Sequence, residues 1–91
     1  MTTPSTSLTT LPNIGSVLAN RLIQAEILTP SDLLLAGAEN AFIRMATVDN
    51  DVCIQMLWAL ECAIQGVRWH SLSASRKNEL KQFYELVTKG L

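Results

Sequence analysis

Cys53, Cys62 and His70 are the two cysteines and the one histidine of the sequence, residue types that can carry out nucleophilic, acid–base or metal chemistry. His70 is the single histidine, and no acid or nucleophile lies at a spacing that would orient it for general acid–base catalysis. The three residues form neither a CxxC nor an HxxxH pair of the kind that binds zinc. We therefore predict no catalytic residue, no metal and no cofactor, and we interpret the protein as a non-enzyme.

The two cysteines are predicted to be reduced thiols. On one helix, Cys53 and Cys62 would lie about 13 Å apart along the axis and on opposite sides, which is beyond the reach of a disulfide. Reduced thiols fit a reducing compartment. A helix N-terminus could lower the pKa of Cys53 and activate it. The alternative, which we favour, is a buried and inert Cys53, because it falls on the apolar face of its predicted helix.

Composition limits the classes of function. The chain has 91 residues, 48% of them hydrophobic and 16% charged, and its formal net charge is −1. A slightly acidic chain lacks the basic field with which most DNA-binding domains collect phosphates. The first ten residues lack the features of a secretory signal, and no segment approaches the roughly 20 apolar residues of a membrane span. We therefore expect a cytoplasmic protein that contacts no membrane.

Hydrophobic periodicity predicts an all-α fold, a compact bundle of five to six helices. Residues 1–7 form a Ser/Thr-rich tail that is predicted to be disordered, and residues 8–91 form one helical domain. The longest helix is predicted at 51–69, with Asp51 as its N-cap, and the other elements are arranged around it. Its core-facing side chains recur at helical spacing: Cys53, Met56, Leu57, Leu60, Ala63, Ile64 and Val67.

Start and stop signals predict the flanking helices. One helix spans 16–26. Thr29 and Pro30 begin a short helix that Gly37 ends, and a second short helix covers 39–48. Ser73 caps the last helix, which ends at Gly90.

The segment LPNIG, residues 11–15, predicts a tight turn that leads into a helix. Pro12 fixes φ, Asn13 tolerates left-handed backbone and Gly15 is permissive. With the short capped helix that follows, this is the layout of a helix-hairpin-helix element. Backbone N–H groups at such a turn can hold a phosphate. The candidate contact residues are Pro12, Asn13, Ile14, Gly15 and Arg21. A purely structural hairpin that fixes an angle between helices is the alternative, and it is the one that we favour.

Four segments resemble the C-terminal domain of the TfoX/Sxy competence regulators: LPNIGSVLANRL, TPSDLLLAGAENAF, CIQMLWALECAIQGVRWHSL and RKNELKQFY. The resemblance covers roughly residues 8–85. It implies a small helical domain of the helix-hairpin-helix or SAM-like type, found after a separate N-terminal domain in full-length regulators and also alone. It implies no catalytic residues.

The reverse side of the central helix carries a second apolar line: Ile54, Trp58, Cys62 and Trp69 recur at spacings of four, four and seven. We predict that part of this line, chiefly Trp58 with Ile54, contacts a protein partner or a second copy of the chain. The alternative is that other helices of the same chain cover it.

Arg76, Lys77 and Lys81 form a basic cluster that is predicted on the exposed side of the last helix. A cluster of this kind is most often a solvated face, and less often a binding surface for phosphate or an acidic partner.

Our first functional hypothesis is a non-enzymatic regulatory or interaction module that acts through protein contacts. The resemblance implies a role in regulating genes for DNA uptake and competence. The second hypothesis is a hairpin module that binds nucleic acid directly, with weak affinity because little positive charge surrounds it. The sequence indicates no small-molecule substrate.

Overall fold

In a computed structural model that describes residues 8–49, 51–68 and 71–90, the chain is all-α. These residues form four helices and no strand: α1 (Ser16–Gln24), α2 (Pro30–Val48), α3 (Ile54–Gln65) and α4 (Ala74–Gly90). The predicted fold class is confirmed, whereas neither the count of five to six helices nor the helix-hairpin-helix element is. The predicted tail, residues 1–7, lies outside the described residues, as do Trp69 and His70.

The two short helices predicted on either side of Gly37 are joined in α2. The predicted start is confirmed, because Thr29 is the N-cap, Pro30 opens the helix and Thr29 Oγ1 accepts a hydrogen bond of 3.2 Å from the Asp32 N–H. Gly37 has φ +81° and ψ 163°, so α2 is broken there. A positive φ favours glycine, which explains why the helical pattern restarts after this residue.

The predicted central helix is shorter than expected. α3 begins after Cys53, and the left-handed Gly66, with φ +71°, ends it after Gln65. Asp51 lies before the helix, so the predictions of an Asp51 N-cap and of a helix that reaches residue 69 are wrong. With 12 residues, α3 is also not the longest helix, because α2 has 19 and α4 has 17.

α3 packs against both α2 and α4, and α1 packs against α2. Leu57, Leu60 and Ala63 of α3 are buried as predicted, but Cys53 is exposed and its predicted burial is wrong. Phe42 of α2 is fully buried, and its ring centroid lies 5.8 Å from that of Tyr84 on α4. Within the described part of the chain, no helix is long and apolar enough to cross a membrane.

Candidate functional site

The turn before α1 is tied to the end of α3 by one side chain. Asn13 has φ +68°, and its Nδ2 donates a hydrogen bond of 2.9 Å to the Val67 carbonyl, 54 residues further along the chain. Ile14 is buried in the core, whereas Pro12 and Gly15 are exposed. The left-handed Asn13 therefore directs its side chain to α3 while Ile14 anchors the turn.

A cavity of about 380 Å³ lies between this turn and α3. Among the described residues, its lining consists of Asn13, Gln55, Trp58 and Ala59. Two of these side chains are amides, one is an indole and one is a methyl group. None of the four carries a charge.

Trp58 is half-buried at the wall of this cavity. Its indole Nε1 is closed off from solvent and has no hydrogen-bond partner in the described part of the chain. The Lys77 ammonium from α4 lies 6.0 Å from the centroid of the indole, within cation–π distance. A buried donor without a partner costs roughly 1–3 kcal/mol, so the unpaired Trp58 Nε1 destabilises the fold by about this amount.

The other members of the predicted interface line have different surroundings. Ile54 is half-buried, as Trp58 is, and lies one turn before it on α3. Cys62 is fully buried, so its predicted place on a contact surface is wrong: the core of the same chain covers it. Burial raises the pKa of the Cys62 thiol, and the neighbouring Glu61 carboxylate raises it further.

Arg21, predicted as the cation of the hairpin, is engaged by the segment between α2 and α3. Its Nη1 donates to the Asp51 carbonyl at 2.8 Å and lies 3.4 Å from Asp49 Oδ2. Its Nη2 lies 3.5 Å from Asp51 Oδ2. Two carboxylates therefore neutralise the charge that a phosphate at the turn would need.

The predicted basic cluster divides into three separate environments. Arg76 Nη2 lies 2.8 Å from Glu39 Oε1 of α2 and 2.8 Å from Glu61 Oε1 of α3, so its predicted place on a basic patch is wrong. It lies in a junction of three helices because Glu61, which is buried, requires a cation. Lys77 lies over Trp58, and Lys81 is exposed.

The ion pair of Arg76 shifts the pKa values of both partners. Burial raises the pKa of Glu61, but hydrogen bonds from Arg76 and Gln65, together with the Arg76 charge, outweigh burial and hold it below its ordinary value. Hydrogen bonds to Glu61 and Glu39 raise the pKa of Arg76. The Glu61 carboxylate and the Arg76 guanidinium are therefore both charged at neutral pH, and this junction is structural.

Sequence reasoning missed Gln55 and Ala59 as lining residues and Glu39 and Glu61 as partners of Arg76. Glu61 offered a signal, since a single acid within an apolar helix requires a partner. No pattern in the sequence indicated that Asn13 and Trp58 lie close together, and they were assigned to two separate surfaces. In the fold, both line one cavity.

The model of the TfoX C-terminal domain family matches residues 4–84. The chain is 48% identical to an uncharacterized protein from Listeria monocytogenes whose triclinic crystal form superposes with a TM-score of 0.86, covering 88% of this chain and 91% of that one. A tetragonal form of a Listeria monocytogenes protein of unknown function gives 48% identity and a TM-score of 0.83, covering 85% and 95%. No curated protein matches the sequence. Because the family model spans nearly all of its helices, the chain belongs to the TfoX C-terminal domain family.

Proposed function

We propose that this domain is a non-enzymatic regulatory module that binds another protein through the face of α3 that carries Ile54 and Trp58. The observation that carries the proposal is Trp58, whose half-buried ring lines the cavity and whose indole Nε1 has no hydrogen-bond partner among the described residues. Tryptophan is enriched among the residues that anchor protein contacts, because it combines a large apolar ring with one hydrogen-bond donor. In this proposal the contact serves the regulation of DNA uptake and competence genes, as the TfoX/Sxy resemblance implies.

The arrangement of positive charge supports a protein partner over a nucleic acid. Arg21 pairs with two carboxylates and Arg76 with three, and Arg44 Nη2 donates to the carbonyls of Ala25 and Glu26 at 2.9 and 3.3 Å. Three of the seven Lys and Arg residues are thus held by contacts within the chain, which has a net charge of −1. Phosphate binding depends on cations that can replace counterions, and these three cations are already engaged within the chain.

The test is site-specific photo-crosslinking in the native cell. A photoreactive residue at Ile54 is expected to give adducts with a protein, whereas the same residue at Gln82, exposed on α4, serves as the matched control. Ile54→Asp is expected to weaken binding of the purified partner at least tenfold, because a carboxylate would be buried in the contact without a cation. Gln82→Asp should leave this affinity unchanged.

The outcomes separate the kinds of partner. An adduct with a second copy of the chain, or with a different protein, supports the proposal when Ile54→Asp abolishes the contact. Equal adducts at positions 54 and 82, adducts with nucleic acid alone, or unchanged affinity of Ile54→Asp would overturn it.

One observation favours the alternative of direct nucleic-acid binding. Gly15, the N-cap of α1, makes no side-chain cap hydrogen bond and the first turn of α1 holds no acid, so the N–H groups of this turn can face an anion. We expect the dissociation constant for duplex DNA to be above about 1 µM at about 150 mM salt. This affinity is that of a non-specific binder, or weaker. Fluorescence anisotropy measures the affinity. Submicromolar binding that Arg21→Glu abolishes would make nucleic-acid binding the first hypothesis.

A further inference from the structure

The first turns of α2 expose apolar side chains to solvent. Leu34 and Leu35 are 56% and 87% exposed, and Leu28, just before the helix, is 41% exposed. The Leu28 N–H donates a hydrogen bond of 3.1 Å to Asp32 Oδ2, which holds this residue against the start of α2. One exposed leucine is ordinary in a soluble protein, but three within one short segment mark a contact surface.

A groove of about 430 Å³ lies beside Leu35. It crosses the break of α2 at Gly37, because its lining comes from both halves of this helix and from the turn after α1. We call it the α2 groove, and its lining among the described residues is Glu26, Asp32, Leu35, Ala36, Asn40 and Arg44. Glu26, Leu35 and Asn40 are exposed, so the groove is open to solvent.

Two carboxylates and one guanidinium set the charge of the α2 groove. Arg44 Nη2 donates to the carbonyls of Ala25 and Glu26, so this cation lies at the negative end of α1. No described Lys or Arg forms an ion pair with Glu26 or Asp32. The residues outside the described ranges contain no Lys, Arg, Asp or Glu. The described lining is therefore net negative, with two carboxylates that lack a partner cation.

This combination of negative charge and apolar surface selects the occupant. A Lys or Arg side chain can place its cation at the carboxylates and its methylene stem along Leu35 and Ala36. The phosphates of a nucleic acid or of an anionic membrane would instead meet two carboxylates. A second copy of the chain, docked through the same face, would bring its own Glu26 and Asp32 towards these, since such a contact is self-complementary.

We propose that the α2 groove and the leucines beside it bind a basic amphipathic segment of a partner protein, one that carries Lys or Arg next to apolar side chains. The cations pair with Glu26 and Asp32, and the apolar side chains cover Leu34 and Leu35. The described linings of this groove and of the cavity beside Trp58 share no residue. The inference therefore adds a second contact surface to the proposed function and does not depend on it.

Model peptides test the inference on the free domain. The probe is a fluorescently labelled peptide of about 14 residues, made of leucine and lysine with the leucines on one helical face. Its dissociation constant, measured by fluorescence anisotropy, is expected to be below about 1 mM. A matched peptide with glutamate in place of lysine should bind at least about 10-fold more weakly, because its charges face those of the groove.

Two leucines and two glutamates give matched pairs of variants. Leu35→Gln is expected to weaken binding of the lysine peptide about 10-fold, because it removes the burial of one leucine. Leu86→Gln on α4, where Leu86 is 73% exposed, should leave the affinity unchanged. Glu26→Gln should weaken binding about 2- to 5-fold, the equivalent of one exposed ion pair, whereas Glu85→Gln on α4 should have no effect. All four positions are exposed, so all four variants are expected to fold.

Three results would overturn the inference: no saturation up to about 1 mM lysine peptide, equal binding of the glutamate peptide, or equal effects of the α2-groove and α4 variants. Sedimentation equilibrium adds the test for self-association. A dimer that Leu35→Gln dissociates would assign this face to a second copy of the chain and would also overturn the inference. The crosslinks at Ile54 test the α3 face alone, so the inference and the proposed function fail separately.

Discussion

Glu61 and the Trp58 indole N–H are two buried polar groups on α3, three residues apart, and only one of them is paired within the described residues. Glu61 accepts hydrogen bonds from Arg76 and Gln65, so its carboxylate is fully engaged within the chain. Trp58 Nε1 has no partner in the described residues. Buried polar groups in native proteins are nearly always paired, and an exception calls for an explanation. Residues three apart lie on the same side of a helix and both side chains meet α4, so the difference lies in the pairing of the two groups and not in the side of α3.

The two groups differ in what the fold can tolerate. An unpaired buried charge costs several kcal/mol, more than a domain of this size can lose safely. An unpaired neutral N–H costs about 1–3 kcal/mol, which the domain can tolerate. A binding site built around an indole N–H is therefore compatible with a stable free domain.

The largest effect is expected for Arg76→Met. This variant leaves Glu61 buried without a cation, and its free energy of unfolding should fall by about 3 kcal/mol. Lys81→Met, on the exposed side of the same helix, should change it by less than about 0.5 kcal/mol. Urea denaturation measures the free energy of unfolding of both variants. A loss below about 1 kcal/mol for Arg76→Met would show that the ion pair is not needed for stability.

The same junction predicts a dependence of stability on pH. The pKa of Glu61 is lower in the folded chain than its ordinary value of 4.5, so its contribution to stability is complete above that pH. As the pH falls through the lowered pKa, the carboxylate becomes protonated and the contribution is lost. Glu61→Gln lacks this loss, so its stability should fall less steeply between about pH 4.5 and 2 in acid denaturation. Parallel curves for wild type and variant would contradict the pairing.

An intermediate effect is expected at Asn13. Asn13→Ala loses the hydrogen bond to Val67 and places a Cβ-bearing residue that disfavours left-handed backbone at φ +68°, which together should cost about 2 kcal/mol. Asn13→Gly loses only the hydrogen bond, about 1 kcal/mol, because glycine accepts this φ. Thermal denaturation distinguishes the two. Equal losses would show that the backbone at Asn13 contributes no strain.

The smallest effect is expected for Trp58→Phe. The variant loses part of the ring contacts but also removes the unmet N–H, so the two terms offset and stability should change by less than about 1 kcal/mol. Partner binding, in contrast, should weaken at least fivefold, since the donor is gone. A loss of stability above about 3 kcal/mol would show that the N–H is satisfied within the chain and would remove the contrast with Glu61.

Local signals in the sequence predicted much of the fold. The N-cap at Thr29 is confirmed by its bond to the Asp32 N–H, and the left-handed tolerance of Asn13 is confirmed by its positive φ. Both depend on neighbours within a few residues. Apolar periodicity likewise predicted the buried Leu57 and Leu60.

Long-range pairing limited the prediction of the site. Arg76 contacts Glu61 and Glu39, 15 and 37 residues away in the sequence, and a cation on the polar face of a helix has the same local pattern whether it is solvated or paired. Cys53 was assigned to a buried face because α3 was started at Asp51. The helix begins three residues later, which leaves Cys53 exposed.

The two thiols give the domain a fast and a slow labelling site. Cys53 is exposed, so a thiol reagent in excess will modify it at once. Cys62 is fully buried and its pKa is raised, so the same reagent reaches it only when α3 separates from the core. The rate of the second modification therefore measures how often the core opens, without any engineered probe.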